Sequence, residues 1–469
     1  MIQILTDFFR EYYTQLYIAT FIVATFLFLS GLDDVYVDLY YWFHHLFAKK
    51  KFNKYTYASP EKIHELPEKP IAIFTPAWNE HEVIDKMLIN ACQTIQYKNY
   101  DIFVGVYPND PQTIAKVEAV SKRFPNVHAV VSRNIGPTTK ADNLNHIHEG
   151  MLQWENKSGI RYDIIIMHDA EDVIHPMSLK VNNAFIPEYD MVQMPVLPLH
   201  TSHINLVHWT YADEFAEYHT KDLIVRQHFS GFVPSAGVGT AFNRWLMDFI
   251  GTSYAKNIFR VKSLTEDYDL ALRLALGKAS LLFTYRPFGL NIATRAYFPT
   301  TMMAAIRQKS RWITGICLQS WRTIGWQGDA RFRFILYRDR KAVVANAINF
   351  LAYVVIAYLM VYEAVRFGLT AYRQMPPIVV KGTLLWDLVV IDSFLMLWRI
   401  AHRFLSVKRI YGVWAGALSV VRLPISNIIN FTATGRAIYL FTKAALRRKD
   451  LKWEKTAHRF PTTSRGVAP

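Results

Sequence analysis

Apolar and polar positions along this chain recur on three length scales, and each scale predicts a different kind of element. The longest is the apolar run. Leu16 to Leu32, LYIATFIVATFLFLSGL, is uncharged over 17 residues, the short end for a membrane-spanning helix. It has no basic leader and no A-x-A-like cleavage site, so it reads as a retained span rather than a signal peptide. The aromatic stretch that follows, VYVDLYYWFHHLFAKKK, ends in Lys49, Lys50 and Lys51. It predicts an interfacial helix with a cytoplasmic basic anchor, closing a first unit at residues 1–51. A second run, Ala342 to Val365, is preceded by the basic RFRFILYRDRK, and a third, Thr383 to Ala401, contains Asp387 and Asp392. Residues 411–440 are apolar only in patches, interrupted by Arg422, Pro424 and Arg436, and are expected to be re-entrant or interfacial. Three spans starting outside return the basic tail, residues 441–469, to the cytoplasm. They leave residues 52–336 as one large cytoplasmic domain ahead of a helical region at 337–440.

Within that domain the pattern shortens. IAIFTPAWNE (71–80), DIFVGVYPND (101–110), VHAVVSRN (127–134) and YDIIIMHDAED (162–172) each run apolar and then turn polar. Between the first two, Val83, Ile84, Met87, Leu88, Ala91 and Ile95 recur at helical spacing. Strand, helix and strand in about 30 residues is a βαβ unit, which implies a mainly parallel sheet covered on both faces. Ligands of such sheets sit at the C-terminal strand ends. That rim would carry Asn79, Glu80, Asp110, Asp169, Glu171 and Asp172. No G-x-G-x-x-G or Walker A sequence follows the first strand, which argues against a dinucleotide or P-loop site.

Composition narrows the class. Hydrophobic residues make up 51% of the 469 and charged residues 19%, with a mean hydropathy of +0.07. A soluble domain joined to membrane helices fits both figures. The net charge of +15 gathers beside the apolar runs rather than on an aromatic-interleaved face, which argues against a nucleic-acid partner. Two cysteines, Cys92 and Cys317, suit a reducing compartment and are expected to be packing residues.

Four polar clusters could carry chemistry. Asp169-Ala170-Glu171 can face a divalent cation, because Mg²⁺ and Mn²⁺ take carboxylates together with substrate phosphates; the same pattern also suits a solvated turn. In SLTEDYDLALRLALGK, Thr265 is the expected N-cap of a helix with Glu266 and Asp267 in its first turn. A carboxylate there could also serve as general base towards a hydroxyl. Gln308, Arg311 and Trp312 place an amide, a guanidinium and an indole within little more than one helical turn, suited to phosphate and to a sugar face, or to a membrane surface. Lys140 and Asp142 stand where a loop enters a helix in TTKADNLNHIHEG. The pairs His146/His148 and His200/His203 have no partners at zinc spacing.

Taken in order, TPAWNE, KADNLN, HDAEDVIHP, SAGVGTAFNR, TEDYDLALRL and QKSRWITG resemble the processive family 2 glycosyltransferases, which include cellulose, hyaluronan and poly-N-acetylglucosamine synthases. SGLDD, the DAED form and the tail KWEKTAHRFP look like the bacterial inner-membrane branch needed for bacteriophage adsorption. The resemblance implies an α/β GT-A (Rossmann-like) domain joined to transmembrane helices, and a multi-pass protein of the bacterial inner membrane. It also implies a UDP-sugar donor, a growing polysaccharide acceptor and Mg²⁺ or Mn²⁺. Thr75, Ala77, Glu80 and Asp110 would surround the uridine, with Lys140 and Asp142 near the nucleotide. Asp169 and Glu171 would hold the metal on the diphosphate, and Asp267 would be the base. Glu266, Gln308, Arg311 and Trp312 would hold the diphosphate and the acceptor end. N-Acetylmannosamine is the sugar the bacteriophage-adsorption branch favours, and an outer-membrane export partner and a separate regulatory domain or protein are expected. The chain departs from the pattern in having Glu171 where Asp is usual and PNDP where an Asp-Asp turn is usual. Two rival readings are a single-transfer enzyme acting on a lipid carrier and a scaffold with an inactive domain; the presence of Asp169, Glu171 and Asp267 argues against the scaffold.

Overall fold

The computed structural model describes residues 11–47, 61–253, 257–368, 375–448, 451 and 459–461. The anchor Lys49–Lys51 and most of the basic tail lie outside them. The predicted strands are present as β1 (Ile71–Pro76), β2 (Tyr100–Val106), β3 (Val127–Val131) and β4 (Ile164–Met167). With β5 (Met191–Gln193), β7 (Thr240–Asn243) and β8 (Leu281–Phe283) they form a seven-stranded sheet in the order β3-β2-β1-β4-β7-β5-β8. β1 to β4 are mutually parallel, whereas β7 runs against both β4 and β5. β6 (Val196–Pro198) and β9 (Thr294–Ala296) pair separately beside the rim. This mixed sheet is the expected Rossmann-like GT-A arrangement.

Alternation within each strand separates two cores. Ile71 and Ile73 of β1, Ile102 and Val104 of β2, and Ile164 and Ile166 of β4 face α2 (Ile84–Thr94) and α3 (Pro111–Ser121). Ala72, Phe74, Phe103, Ile165 and Met167 face the opposite way, onto Ala141, Leu144, Ile147 and Met151 of α4 (Lys140–Ser158). These side chains are sealed from solvent, each large one contributing about 1.5–3 kcal/mol through burial. The run Ile164–Met167 is thus buried on both faces, as its unbroken apolarity implied.

The second core reaches further than the sequence pattern suggested. The N-terminal apolar run and the aromatic stretch after it are one helix, α1 (Tyr13–Phe47). Its later half does not form a separate interfacial helix: Val37 and Tyr41 join the core that holds β1 and β4. Polar contacts pull it there. Asp38 is buried against the Lys221 ammonium and accepts from the Trp398 indole at 2.9 Å. Asp33 takes Arg338 and Lys341 at 2.5 and 2.7 Å. α5 (Leu206–Glu217), α6 (Glu266–Leu276) and α7 (Met302–Ile313) follow around the rim. Phe332, Ile335 and Leu336 at the start of α8 (Ala330–Gly368) enter the same core, so the boundary expected at residue 336 falls inside one helix.

Among the described residues two helices are long and apolar enough to cross a membrane, Tyr13–Phe47 and Ala330–Phe367. The third expected span lies within α9 (Leu384–Tyr411), which is not one of them. Residues 413–440, expected to be interrupted, belong to one continuous helix, α10 (Val413–Leu446), with Pro424 inside it. Arg422 does not break this helix because it turns inward. Its Nε and Nη2 donate to the two Asp213 oxygens at 2.8 and 2.6 Å, and Nη2 also reaches the Ala415 carbonyl at 3.0 Å. Both side chains are fully buried. Removing one member of such a pair costs about 3–5 kcal/mol, whereas replacing both by apolar residues can be neutral. Arg422→Met is therefore expected to lower the melting temperature in detergent, and Asp213→Leu/Arg422→Met to recover most of the loss.

Candidate active site

A cavity of about 320 Å³ opens at the C-terminal ends of β1, β2 and β4, between the starts of α4 and α6 and one face of α7. Its wall contains Ala77, Glu80, Lys140, Asp169, Glu171, Glu266, Asp267, Gln308, Arg311 and Trp312. These ten side chains come from five separate segments.

Three expected residues, Thr75, Asp110 and Asp142, are not in the wall. Thr75 is sealed beneath it within β1. Asp110 is spent on structure: it caps α3 by accepting from Thr113 N at 3.3 Å and also holds the backbone N–H of Asn79. Asn79 needs that support because it sits at φ 54°, a region few non-glycine residues adopt. Asp142 faces the outer side of α4, where it accepts from Asn134 Nδ2 at 2.9 Å. The turn into α4 is set by Thr139, whose hydroxyl accepts from Asp142 N at 3.2 Å. His146 bonds back to the Asp142 carbonyl, and His148 lies against Phe74 in the core.

The acids in the cavity are held by few cations. Lys140 Nζ lies 2.5 Å from Asp169 and 4.0 Å from Glu266. Burial works against its charge, but Asp169, Glu266 and Asp267 together raise its pKa above the lysine range. Burial and then the Asp267 charge push the Glu266 carboxyl up to about 7. Burial also raises Asp267, opposed by Lys140 and by the Tyr268 N–H, which donates to Asp267 at 2.7 Å. Asp172 belongs to the turn: its Oδ2 accepts from Asp169 N at 3.0 Å and meets His168 Nδ1 at 2.9 Å. Burial raises its carboxyl to about 6.

Thr265 stands at the N-cap position of α6, but its side chain makes no capping bond. It packs instead against Gly315, where a Cβ would come within 2.2 Å of the Thr265 hydroxyl. The loop before α6 is gripped by Gln319, which accepts from Leu264 N and donates to the Lys262 carbonyl, both at 3.0 Å. On α7, Gln308, Arg311 and Trp312 face the cavity while Lys309 turns away to Glu214 at 2.7 Å and Asn430 at 2.9 Å. Trp312 stacks on Phe215 at 6.1 Å.

Several wall residues escape the motif reading. Trp78 and Tyr107 meet edge to face at 5.2 Å above the first two strands. Tyr218 and His219 come from a π-helical turn, Tyr218–Asp222, which no periodicity announces; burial lowers the His219 pKa to about 4, so its ring is neutral. Gln193 carries a signal that could have found it, a polar residue ending an apolar strand. Its Oε1 accepts from Ala236 N at 2.8 Å and Thr240 Oγ1 at 2.6 Å, fixing the SAGVG loop over Asp267.

The family model for glycosyltransferase like family 2 matches residues 67–315, which spans the sheet and every wall segment named above. The chain belongs to this family. It is 38% identical over 98% of its length to bacteriophage adsorption protein B of Escherichia coli K12 and equally to bacteriophage N4 adsorption protein B of Escherichia coli O157:H7. It spans 64% of the length of each. Among solved structures it is similar to a mannosyltransferase from Pyrobaculum calidifontis in complex with GDP-Man and Mn²⁺, with 15% identity, a TM-score of 0.49 and coverage of 86% of this chain and 99% of that one. The family match, not the structural likeness, bears out the enzyme class expected from the motifs: a family 2 glycosyltransferase.

Gly237 tests how tightly the site is built. It holds φ 73°, and a Cβ there would stand 2.5 Å from Asp267 Oδ2. Gly237→Ala is expected to cost about 1 kcal/mol of stability from backbone strain. By displacing the carboxylate it should lower turnover at least about tenfold, read as sugar transfer by folded protein.

Proposed function

We propose that this chain is an inverting, processive glycosyltransferase of a bacterial inner membrane. It takes sugar from a UDP-sugar, adds it to the end of a growing polysaccharide and helps pass the polymer outward. The catalytic domain faces the cytoplasm. The observation that carries this reading is the convergence of Lys140, Asp169, Glu171, Asp267, Arg311 and Trp312 on one cavity beside helices long enough to span a bilayer.

Asp267 is the group placed to take a proton. As the acceptor hydroxyl oxygen bonds to the anomeric carbon, its proton passes to the Asp267 carboxylate, and the bond from carbon to the diphosphate oxygen breaks on the opposite side. The leaving UDP keeps that electron pair, and Lys140 and Arg311 stand where its charge develops. The edge near Ala77 and Glu80, with Trp78 and Tyr107, takes the uridine. Thr75, Asp110 and Asp142 would act on the nucleotide from beneath or behind, by holding the loops. Trp312 and Phe215 offer a flat face to the acceptor sugar, with Gln308 and Glu266 beside it.

The donor set fits Mg²⁺ or Mn²⁺: Asp169 and Glu171 supply hard oxygens from one turn, and the Lys140 ammonium already lies against Asp169. Bound there, such an ion would stabilise charge on the diphosphate. The relatives are named for bacteriophage adsorption; the product on this reading is a surface polymer that serves as the receptor, with UDP-N-acetylmannosamine the donor to try first. An export partner in the outer membrane and a separate regulatory domain or protein complete the reading.

Purified membranes supplied with a panel of UDP-sugars and Mg²⁺ or Mn²⁺ test it through UDP release and product length. One donor should yield long product, lost on chelation and lowered about 10²–10⁴-fold in Asp267→Asn. UDP release with only single-sugar products would instead assign transfer to a lipid carrier. No release with any donor from folded protein would remove the enzymatic reading.

The acid limb of kcat/KM reports the base in the free enzyme. Because burial raises Asp267 and Lys140 opposes that rise, activity should fall, as pH is lowered, at a pH above the ordinary aspartate range. Lys140→Gln should move this limb to higher pH; a limb that stays in place or moves down would contradict the assignment.

A further inference from the structure

Arg340, on the third turn of α8, is 3% exposed. None of its three guanidinium nitrogens has a hydrogen-bond partner among the described residues. Its neighbours on the helix are all engaged. Arg338 and Lys341 are held by Asp33 and Asp34. Asp339, the nearest acid in sequence, is taken by Arg226 and by the Tyr268 hydroxyl at 2.6 Å. A buried guanidinium left with its donors unused is costly, so Arg340 is not explained as a member of the ion-pair network around it.

What covers Arg340 is aromatic. Its guanidinium carbon lies 4.5 Å from the Trp326 ring centroid and 5.5 Å from that of Trp321. The two indoles meet edge to face at 5.6 Å, and both keep exposed outer surfaces. Arg333, Tyr337, Arg340 and Val344 form one stripe of α8 by helical spacing, and the other three are exposed. The stripe therefore faces outward, passing from a cation at the start of the helix to an apolar residue where it becomes long and apolar enough to cross a bilayer. Tryptophan pairs and arginines at such a position mark the headgroup level. Neither Arg340 nor either indole lines the catalytic cavity.

We propose that Arg340, beneath Trp321 and Trp326, binds the phosphate of a membrane phospholipid. Guanidinium is the side chain best matched to phosphate oxygens, two at a time. Access requires an indole to swing away, and Trp326 is mounted for it: Gly325 and Gly328 flank it at φ 62° and 93°, conformations glycine adopts freely. The site rests on the reading that α8 crosses the bilayer.

The test uses the full chain, purified in detergent and titrated with dioleoylphosphatidylglycerol, with bound lipid counted by native mass spectrometry. Arg340→Gln should weaken retention about tenfold, the worth of one charge-assisted contact, whereas Arg333→Gln on the same stripe should not. Equal retention by wild type and Arg340→Gln overturns the proposal. Should Arg340→Gln aggregate, Trp326→Ala decides, because it keeps the guanidinium and removes half its cover: tighter retention supports the site, unchanged or weaker retention overturns it. Competition by inorganic phosphate would reassign the site to free phosphate and remove the lipid. Failure of the membrane reading is distinguishable, since the protein would then stay soluble without detergent.

Discussion

The catalytic rim is built around a shortage of positive charge. Asp169, Glu171, Glu266 and Asp267 line one cavity of about 320 Å³, and Lys140 is the cation placed between Asp169 and Glu266. Burial, and after it the neighbouring carboxylate of Asp267, pushes Glu266 up to about 7. Such a pocket is tolerated because α4 delivers Lys140 to its centre, and because Arg311 approaches from α7. It also has room for more positive charge. On the proposed reading a divalent cation would bring that charge into the site, and the diphosphate oxygens would offer Lys140 and Arg311 new partners.

Strand ends made much of this legible. Each of the first four strands could be located because an apolar run turned polar, and the rule that ligands gather at the C-terminal rim pointed to Asp169 and Glu171, which line the cavity. Helical spacing likewise put Gln308, Arg311 and Trp312 on one face of α7. What remained hidden was the choice of partner. Asp110 and Asp142 occupy rim positions, yet local donors, Asn79 N–H and Asn134 Nδ2, claim their oxygens. Thr265 has the right type and place for a cap, but close packing on Gly315 decides its orientation. Tyr218 and His219 reach the wall through a π-helical turn, whose extra residue shifts the facing of side chains without leaving a mark in composition.

The same limit applied to the membrane region. Apolar length identified α1 and α8 as candidates for crossing a bilayer, but not that both would extend into the core of the catalytic domain. That extension depends on Asp33, Asp38, Lys221, Arg338 and Lys341, drawn from three distant segments. A charged residue in or beside an apolar helix reads equally as a boundary or as half of a buried pair until its partner is known. Arg422 is the clearest instance, since it looked like an interruption and proved to be a fastening to Asp213.

This fastening pattern imposes an order on biosynthesis. Asp33 and Arg338 are separated by 305 residues, so α1 leaves the ribosome long before its counter-charges exist. Until then Asp33, Asp34 and Asp38 are anions next to an apolar run with nothing to neutralise them, and water is their only stable surrounding. The nascent helix must therefore sit shallow, with this end exposed to water. It can settle into its final position only after Arg338 and Lys341 have been made. The completed catalytic domain, rather than the apolar run alone, determines where the first helix comes to rest.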